Sequence, residues 1–578
     1  MKSIKLKFGI LILMVSIFTV PFVAETRAVD DTACAVDHSE IIYPMPQFAC
    51  LKADVIVPDL VKVEIDSSQV GRNALEYGER LLNGYGLKIL EKDDRSERQV
   101  VSVVFEPGGP EHESAWRQEG YSILISGNPL EIKIRAHEPA GFFYAILTLE
   151  QLIHWGEAGV MVFQGEVEDF PAFSYRGILE GGYDVWNHEK RKEVLRWMGS
   201  LKMNSFLYAP KEGMYFRRRW RVPYPEEELD HFREYLAICN QWHIEFAYSL
   251  SPALSMEYSD PEEFKLMVAK YRQLQEIGVR KFGIFFDDVM PYLSTPADRK
   301  AYTHIAEAEV DVTNRLLDAL REYDPTAELF FVPNQYWGWT RTRYMKILRE
   351  QLYPEIEIGW TGKDICSKTI TVAHVKKFIE TVGRPPAIGD NFSPLGPLVN
   401  REPGLYKYCT SFVNNPYNFA EAEKAELSKF VNSTVGDYAW NTEQYDSVRS
   451  ITVASRILAG SKSGGDALIL ALKLKNAGLP SSNFVNIKEF VDKLQSSDAM
   501  DSKKLLKEIK NEILEYRDAL DALEKAPISD SLKNELGPSI ENAISTIPRA
   551  LEIVEKMNEL DQRRALGEEL KKLLGLKR

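Results

Sequence analysis

The sequence is poor in the residues that build metal and redox sites. Its 578 residues include nine histidines and five cysteines, and none of them forms a CxxC, HxH or HExxH pattern. Protein metal sites commonly rely on such spacings. We therefore expect neither a metal ion nor an organic cofactor.

A dominant basic surface is also missing. The formal net charge is −14, and the single basic cluster, Arg217 to Arg221, is interrupted by Trp220 and followed by Pro223. Phosphate-binding surfaces need clustered Lys and Arg. The composition predicts no nucleic-acid partner, and we interpret the basic cluster as a local loop feature.

Long apolar runs are absent beyond the first thirty residues. The N-terminus has three lysines among its first seven residues, an apolar run from Phe8 to Val23, and small residues, Thr26 and Ala28, at positions −3 and −1 of a possible cut. This pattern is typical of a secretory signal peptide. The alternative is a membrane anchor, but about 16 apolar residues fall short of the ~20 that span a bilayer. We expect segment 1–28 to be removed and the protein to be secreted or extracytoplasmic in the cell envelope, without stable membrane insertion after cleavage.

Residues 29–170 predict a small α+β domain of two or three strands followed by a helix. Strand-like runs occupy Val100–Phe105, Tyr121–Ile125 and Ile132–Ala136, and a helix-like run covers Ala140–His154. Strands followed by an amphipathic helix favour this fold class. The run Asp169-Phe170-Pro171 marks the boundary.

Residues 171–445 repeat a short apolar run and a longer helical stretch eight times, which predicts an α/β fold, the (β/α)8 TIM barrel. An open doubly wound sheet would need a glycine-rich phosphate turn after its first strand, and Glu180-Gly181-Gly182-Tyr183 is not one. The predicted helices include Lys190–Ser200, Glu226–Gln241, Pro261–Gly278 and Ala301–Tyr323. The predicted strands are Tyr175–Glu180, Ser205–Tyr208, Glu245–Ser249, Lys281–Phe286, Glu328–Val332, Glu357–Trp360, Ala387–Asp390 and Cys409–Val413.

The cysteines divide between these regions. In an oxidising compartment Cys34 and Cys50 could form one bridge. We expect Cys239, Cys366 and Cys409, which fall within barrel segments, to be buried and inert thiols.

Residues 446–578 predict a C-terminal α-helical bundle, because Lys, Glu and Leu recur at helical spacing. Breaks are expected near Gly464–Gly465, Gly478–Ser482 and Pro527. We assign this region no chemistry.

Active sites of TIM barrels lie at the carboxyl ends of the strands. The fourth predicted strand ends in Asp287 and Asp288, two adjacent carboxylates after an apolar run. A pair of aspartates is also common in turns and at helix N-caps, but its place at a barrel strand end favours catalysis. The other strand ends bring Lys211, Asn334, Gln335, Tyr336, Trp360, Thr361, Asp390, Asn391, Asn414 and Asn415. Carboxylates, amides and aromatic residues are the groups that a sugar site needs.

The adjacency of Asp287 and Asp288 constrains the mechanism. In most glycosidases two carboxyl groups face each other across the scissile bond, about 5 to 9 Å apart. Neighbouring residues do not easily do so, but they suit a substrate whose own 2-acetamido oxygen is the nucleophile. One aspartate then holds the acetamido N–H while the other protonates the leaving oxygen and later activates water.

Several runs of the sequence occur in the order of a known family. The chain resembles glycoside hydrolase family 84, which contains the O-GlcNAcases and the bacterial β-N-acetylglucosaminidases once called hyaluronidases. The similarity covers residues of about 45 to 445. It is carried by the runs Tyr175-Arg176-Gly177-Ile178-Leu179-Glu180-Gly181, Tyr208-Ala209-Pro210-Lys211, Trp220-Arg221-Val222-Pro223-Tyr224-Pro225, Phe282-Gly283-Ile284-Phe285-Phe286-Asp287-Asp288, Trp360-Thr361-Gly362, Asp390-Asn391 and Phe412-Val413-Asn414-Asn415-Pro416.

The resemblance implies a retaining β-N-acetylglucosaminidase that uses substrate-assisted (oxazoline) catalysis on a glycan or glycoconjugate containing N-acetylglucosamine. Asp287 is expected to orient the acetamido group and Asp288 to be the general acid and base. Gly181, Lys211, Tyr336, Asn391 and Asn415 match positions that line the sugar pocket of the family, with Trp360, Thr361 and Asp390 as further candidates. Each has an alternative: Lys211 could be a solvated loop residue, and the two asparagines could cap turns.

The sequence also departs from the family pattern. It has Glu180-Gly181-Gly182-Tyr183-Asp184 where Glu-Gly-Phe-Tyr-Gly is common, and Gly389 where bacterial members carry a tryptophan. If Leu395-Gly396-Pro397 matches the family's Leu-Gly-Pro, about nine residues are missing before it, among them the aspartate that holds the distal sugar hydroxyls. Asp184 and Asp390 are candidate substitutes. Two alternatives therefore stay open: a hexosaminidase of altered sugar specificity, and a carbohydrate-binding protein that has lost turnover.

Overall fold

The computed structural model of the protein describes residues 34–66, 68–90, 100–108, 118–182, 186–391, 396–416, 425–474, 493, 499–525, 545–557 and 563–573. The predicted signal segment 1–28 lies outside these ranges. None of the helices within them is long and apolar enough to cross a lipid bilayer.

The N-terminal region folds as an eight-stranded mixed sheet with two helices on it. Its strand order is β1-β8-β5-β6-β4-β2-β3, and β7 pairs with β8. The α+β class is as expected, but the prediction of two or three strands is wrong. The additional strands carry charged residues along one face or are as short as two residues, so their apolar pattern is weak. The elements are β1 (Phe48–Ile56), β2 (Leu60–Ile65), α1 (Arg72–Gly84), β3 (Lys88–Ile89), β4 (Val100–Pro107), β5 (Tyr121–Ser126), β6 (Glu131–Ala136), α2 (Pro139–Leu152), β7 (Ile153–Gly156) and β8 (Gly159–Asp169).

Helix α2 is apolar on nearly every side because it packs on the sheet and also meets the next domain. It begins with Pro139, whose fixed φ suits the first turn of a helix. Phe143 lies edge-on to Trp242 at 5.7 Å between ring centroids, and Tyr144 lies edge-on to Trp440 at 5.6 Å. The N-terminal sheet is therefore joined to the barrel through an apolar interface.

Cys34 and Cys50 form a disulfide, as the sequence suggested. The expectation of buried thiols is right for Cys239, whereas Cys366 and Cys409 are only half-buried. Burial raises the pKa of the Cys239 and Cys409 thiols above the usual value for cysteine.

Eight parallel strands close into a barrel in the order β10-β11-β12-β13-β14-β15-β16-β9. This confirms the predicted (β/α)8 fold, and the predicted strand limits differ from the observed ones by at most two residues. The largest difference is at the eighth strand, which begins at Ser411 rather than Cys409. The strands are β9 (Tyr175–Glu180), β10 (Ser205–Tyr208), β11 (Glu245–Leu250), β12 (Lys281–Phe285), β13 (Glu328–Val332), β14 (Glu357–Trp360), β15 (Ala387–Asp390) and β16 (Ser411–Asn414).

Helices surround these strands, and the layer between them holds the largest hydrophobic core of the chain. The predicted helix Ala301–Tyr323 corresponds to the helix Ile305–Arg321, which begins later because the chain is extended at Tyr302 and His304 is the N-cap. Ala301 is the last residue of the preceding short helix. The helices are α3 (His188–Ser200), α4 (Glu226–Gln241), α5 (Pro261–Glu276), α6 (Pro296–Ala301), α7 (Ile305–Arg321), α8 (Arg343–Gln351), α9 (Val372–Val382) and α10 (Ala425–Trp440).

A buried polar cluster crosses the interface between the sheet and the barrel. Asp169, the last residue of β8, accepts hydrogen bonds from Tyr121 Oη (2.6 Å) and Trp440 Nε1 (2.7 Å). Lys202 of the barrel forms an ion pair with Asp169 at 3.0 Å, and both side chains are fully buried. Burial lowers the pKa of Lys202, and the Asp169 carboxylate opposes that shift.

The C-terminal region is helical where the structure describes it. The predicted break near Gly464–Gly465 lies a few residues earlier, at Gly460 and Ser461, between a helix that ends at Ala459 and one that begins at Lys462. Helix α12 runs through both glycines, because they lie in its first turn, where the Gly464 N–H donates to Ser461 Oγ at 3.1 Å. The predicted breaks near Gly478–Ser482 and Pro527 fall outside the described residues. The helices are α11 (Ser447–Ala459), α12 (Lys462–Leu474), α13 (Ala499–Lys525) and α14 (Arg563–Leu573), and residues 545–556 are also helical.

Candidate active site

A cavity of about 160 Å³ opens at the carboxyl end of the barrel strands. Its floor is apolar and belongs to the inner barrel core, with Leu179, Phe285, Phe330 and Val413 among the lining side chains. Its polar lining brings together residues from loops and strand ends that are far apart in sequence. These polar residues are Lys211, Asp287, Asp288, Tyr336, Thr361, Asn391 and Asn415, and the backbone of Gly181 and Gly389 completes the wall.

Asp287 and Asp288 both line this cavity although they are neighbours in the chain. Along a strand, side chains alternate between faces, and Phe285 points into the barrel while Phe286 packs in the outer layer. Asp287 continues this alternation on the inner side. Asp288 has a left-handed backbone with φ of 54°, which breaks the alternation and lets the second carboxylate reach the same cavity.

Lys211 lies between the two carboxylates. Its Nζ is 2.7 Å from Asp287 Oδ2 and is also ion-paired with Asp288. Its backbone N–H donates to the carbonyl oxygen of Gly182 at 3.1 Å, which fixes the loop after β10 to the loop after β9. Burial alone would lower the pKa of Lys211, but the Asp287 and Asp288 carboxylates outweigh burial and raise it above its ordinary value. Lys211 is therefore a fixed positive charge in the site.

The two aspartates differ in exposure. The Asp287 side chain is 11% exposed and that of Asp288 is 34% exposed. Within the described residues, the buried Oδ1 of Asp287 has no hydrogen-bond partner. A buried carboxylate oxygen in that state is an acceptor available to a ligand N–H or O–H.

Asn391 and Asn415 form a short chain of amides on the opposite wall. Asn391 Nδ2 donates to the carbonyl of Ile365 at 3.0 Å, and Asn415 Nδ2 donates to Asn391 Oδ1 at 2.9 Å. This fixes the amide orientations and leaves the buried Asn415 Oδ1 without a partner in the described part of the chain. A Cβ at Gly181 would lie 2.9 Å from that oxygen, so glycine keeps this acceptor open.

Tyr336 and Thr361 border the cavity as expected. The Thr361 N–H donates to the Tyr336 carbonyl at 3.0 Å, which joins the loops after β13 and β14. The Tyr336 ring lies edge-on to Trp337 at 5.1 Å between centroids. Trp360 contributes to the lining, but its fully buried ring packs on Phe378 of α9 at 5.2 Å. It is therefore not an exposed aromatic wall for a sugar ring.

The suggestion that Asp390 belongs to the pocket is wrong. On β15 the inward positions are Ala387 and Gly389, so Asp390 faces the helices. Its carboxylate receives two hydrogen bonds from Arg401, at 2.6 and 2.8 Å, and it is 1% exposed. The other proposed substitute, Asp184, and Leu395 lie outside the described residues.

Two residues with contacts to the Asp287–Asp288 turn were not assigned a role from the sequence. Arg217 lies in a single π-helical turn, Met214–Arg218, and its guanidinium donates to the carbonyl oxygens of both aspartates. Asn334 donates to carbonyl oxygens on either side of them. The basic cluster is thus more than a loop feature, although side chains that act on backbone carbonyls leave no motif in a sequence.

Known families resemble both the sheet and the barrel regions of the chain. The sequence profile described as beta-N-acetylglucosaminidase matches residues 176–471, and that of domain 2 of glycosyl hydrolase family 20 matches residues 40–170. The protein O-GlcNAcases of Rattus norvegicus and Mus musculus are each 28% identical over 318 residues, which is 52% of this chain and 33% of theirs. The chain therefore spans about a third of the length of these curated relatives.

Solved structures resemble most of the chain. An O-GlcNAc hydrolase of Thermobaculum terrenum is 26% identical with a TM-score of 0.63, covering 70% of this chain and 94% of that one. The protein CpGH84B is 23% identical with a TM-score of 0.77, covering 92% and 96% respectively, which shows a shared fold. On the match of the family profile to half of its length, the chain belongs to the beta-N-acetylglucosaminidase family, glycoside hydrolase family 84.

Proposed function

We propose that the protein is a retaining β-N-acetylglucosaminidase that removes a terminal 2-acetamido-2-deoxy-β-glucoside with the help of the substrate's own acetamido group. The observation that carries this proposal is the pair Asp287 and Asp288 in one cavity, with a buried oxygen of Asp287 left to accept a hydrogen bond. The names of the O-GlcNAcase relatives support the same activity.

The position of the carboxylates favours an internal nucleophile. Both contact the same Lys211 nitrogen, so they lie side by side rather than across the gap of about 5 to 9 Å that a two-carboxylate displacement or a bound water needs. In the proposed reaction the acetamido oxygen attacks the anomeric carbon and forms an oxazoline. Water then opens the oxazoline, and the β configuration is retained.

The difference in exposure assigns the roles. Asp287, the more buried of the two, accepts the acetamido N–H through Oδ1 and increases the electron density on the attacking oxygen. Asp288, which is more exposed, protonates the leaving oxygen and later takes a proton from water. Its exposure suits this role, because the leaving group departs and the water enters from the solvent side of the cavity. Lys211 offsets part of the negative charge of the pair throughout.

The size of the cavity supports an exo-acting enzyme. About 160 Å³ is smaller than the roughly 300–1,000 Å³ of pockets for drug-sized ligands. Asn415 Oδ1, opposite the aspartates, is an acceptor for a sugar hydroxyl. We therefore assign a single terminal sugar of a glycan or glycoconjugate to the cavity.

A second candidate is a hexosaminidase with a different 2-acetamido sugar. It is favoured by Asp390, which is paired with Arg401 in the outer layer and does not hold sugar hydroxyls. Among the described residues that line the cavity, Asp287 and Asp288 are the only acidic ones, so the distal hydroxyls meet amides instead.

The mechanism is tested with 4-nitrophenyl β-N-acylglucosaminides whose acyl methyl group carries zero to three fluorines. Fluorine withdraws electron density from the attacking oxygen, so kcat/KM is expected to fall at least about tenfold along the series, as nucleophilic participation requires. NMR should show the β hemiacetal as the first product. A rate independent of fluorination, or a first-formed α product, would contradict the proposal.

The sugar is tested with a panel of gluco- and galacto-configured N-acetyl glycosides. Preference for the gluco sugar supports the first candidate, and preference for another supports the second. Binding of N-acetylglucosamine-thiazoline without turnover of any glycoside would favour a carbohydrate-binding protein instead.

We also propose an extracytoplasmic location. It is supported by the charged and apolar N-terminal segment and by the Cys34–Cys50 disulfide, a bond that persists in oxidising compartments. N-terminal sequencing of the protein recovered from cell fractions tests it, and an intact N-terminus in the cytoplasmic fraction would contradict it.

A further inference from the structure

The turn that carries the two aspartates is held by its backbone. Arg217 Nη2 donates to the carbonyl oxygens of Asp287 (3.3 Å) and Asp288 (3.2 Å). Asn334 Nδ2 donates to those of Phe286 (3.3 Å) and Val289 (2.9 Å). Four consecutive carbonyl groups, 286–289, are therefore engaged by two side chains from neighbouring loops.

This turn has a conformation that needs support. Asp288 has a φ of 54°, a region that costs energy for a residue with a side chain and persists only when surrounding contacts fix it. The same φ brings the Asp288 carboxylate to the side of Asp287. If the turn relaxed to an extended backbone, the two carboxylates would point to opposite faces of the strand.

Arg217 is itself held in place. It is 8% exposed, and the loop that carries it is fastened by Lys270 of α5. Lys270 Nζ donates to the carbonyls of Tyr215 (2.8 Å), Arg219 (3.3 Å) and Val222 (2.8 Å), three points around the π-helical turn.

The backbone of Asn334 is also held in place by buried side chains. Its backbone N–H donates to Tyr344 Oη at 2.8 Å, and Tyr344 in turn donates to the fully buried Glu309. Because each side chain is anchored to a different part of the outer layer, the turn is held from two directions.

We propose that Arg217 and Asn334 are positioning residues that keep the Asp287 and Asp288 carboxylates on one side of the strand end. They act through the backbone rather than on the sugar. The inference rests on the proposed glycosidase function, because it concerns the geometry of the same two carboxylates. A shift of reacting groups by about 1 Å commonly costs on the order of a hundredfold in rate.

The variants Arg217→Met and Asn334→Leu remove the donors while keeping much of the side-chain volume. The matched control is Arg218→Met, since Arg218 lies next in the chain but is 73% exposed and pairs with Glu212. We expect kcat on a 4-nitrophenyl N-acetyl-β-glucosaminide to fall about 10- to 100-fold in each of the first two variants, with KM changed less than about threefold. The control should stay within about twofold of wild type.

Two further measurements separate positioning from folding. Arg217→Lys keeps one donor and the charge, so it should recover part of the lost kcat. The affinity for N-acetylglucosamine-thiazoline should fall in parallel with kcat/KM, because that molecule resembles the oxazoline step. Circular dichroism and the melting temperature show whether each variant is folded.

The outcomes are distinct. If folded Arg217→Met and Asn334→Leu retain kcat within about twofold, the positioning role is wrong while the proposed function stands. A loss confined to KM, or thiazoline affinity that is unchanged while kcat falls, would equally overturn it. If wild type and Arg218→Met hydrolyse none of the glycosides, the proposed function fails, and the positioning role fails with it.

Discussion

The two ends of the barrel each place one lysine among carboxylates, with opposite results. At the amino end, Lys281 of β12 is 3.2 Å from Glu245 and 3.3 Å from Glu328, and 4.0 Å from Glu357. Its ammonium group also lies 3.7 Å from the centre of the Tyr175 ring. At the carboxyl end, Lys211 contacts Asp287 and Asp288.

At the amino end, the Lys281 side chain is 4% exposed and lies among three glutamates that remain partly exposed. Burial raises the pKa of Glu245 and Glu357, and Lys281 opposes that shift. At the carboxyl end, the cavity leaves an oxygen of Asp287 for a ligand, and the Asp288 backbone is left-handed. The same residue types therefore hold the barrel together at one end and line the candidate site at the other, as TIM barrels generally separate stability from function.

The largest expected effect is on activity, at the carboxyl end of the barrel. Asp288→Asn should lower kcat/KM about 10²- to 10⁴-fold for an alkyl glycoside, because a general acid is lost. The loss should be smaller for a dinitrophenyl glycoside, whose leaving group needs no proton. Steady-state kinetics on both substrates measures this, and the fold should persist because asparagine tolerates a left-handed backbone. Equal losses on both substrates would contradict the assigned role.

At the amino end of the barrel, around Lys281, a substitution should change stability rather than activity. Lys281→Met leaves the partly exposed Glu245 and Glu357 without their cation and is expected to cost about 1–3 kcal/mol of the free energy of unfolding. The activity per folded molecule should not change. Urea unfolding measures the loss, and the double variant with Glu357→Gln should be less destabilised than the single one. A stable Lys281→Met with reduced kcat would contradict a purely structural role for the amino end of the barrel.

Lys211→Met should give the reverse of Lys281→Met. A hydrogen bond to a charged group contributes about 1.5–3 kcal/mol. If this stabilisation is lost in the transition state, kcat/KM should fall about 10- to 100-fold. Stability should change less than activity, because the two carboxylates can take up a proton once the lysine is removed. Lys265→Met, at an exposed ion pair with Glu262, is the control for both measurements. A large loss of stability in Lys211→Met would show that this end is also structural.

The buried Glu309, which lies behind the Asp287–Asp288 turn, should make the stability of the chain depend on pH. Burial raises the pKa of Glu309 from an ordinary 4.5 to about 8, and Tyr344 and the Asn334 N–H oppose that shift. Between these values the folded chain holds a proton that the unfolded chain releases, so stability falls as pH rises through this window. Glu309→Gln stays neutral and removes this dependence. Between pH 5 and pH 8 the melting temperature of wild type should fall relative to the variant by several degrees, at about 2–4 °C per kcal/mol. Parallel curves would place the titration elsewhere.

The smallest effect is expected at Glu328, the most exposed of the three glutamates at the amino end of the barrel. The Glu328 side chain is 50% exposed, and exposed ion pairs contribute about 0–1 kcal/mol. Glu328→Gln should therefore change the unfolding free energy by less than about 1 kcal/mol and leave kcat unchanged. A larger loss would show that all three glutamates belong to the cluster around Lys281.

The sequence predicted the barrel well because its strands are short, fully buried apolar runs separated by long amphipathic helices. It predicted the cavity residues where polar groups follow a strand within two residues, as at Asp287, Asn391 and Asn415. It failed at Asp390, where the last residue of a strand still obeys the alternation of faces. Counting inward positions from Ala387 would have placed that carboxylate among the helices.

The remaining errors depend on tertiary contacts. Nothing in the run Arg217 to Arg221 shows that one of its five residues points inward to the Asp287–Asp288 turn, because that depends on where Lys270 fastens the loop. Most strands of the eight-stranded N-terminal sheet were likewise not predicted, because apolar and polar residues alternate only weakly along them. These strands become recognisable only when paired, as β1 does with β8 over Phe48–Ile56.

The Asp169 cluster determines where this chain can be divided. Cutting the chain after residue 170 would leave Lys202 as a buried cation without its anion, and would remove the acceptor of the Trp440 indole. Arg176 would at the same time lose Glu119, its partner at 2.7 Å. The sheet and the barrel are thus a single unit of recombination, and a shuffled gene that exchanges one must carry the other with it.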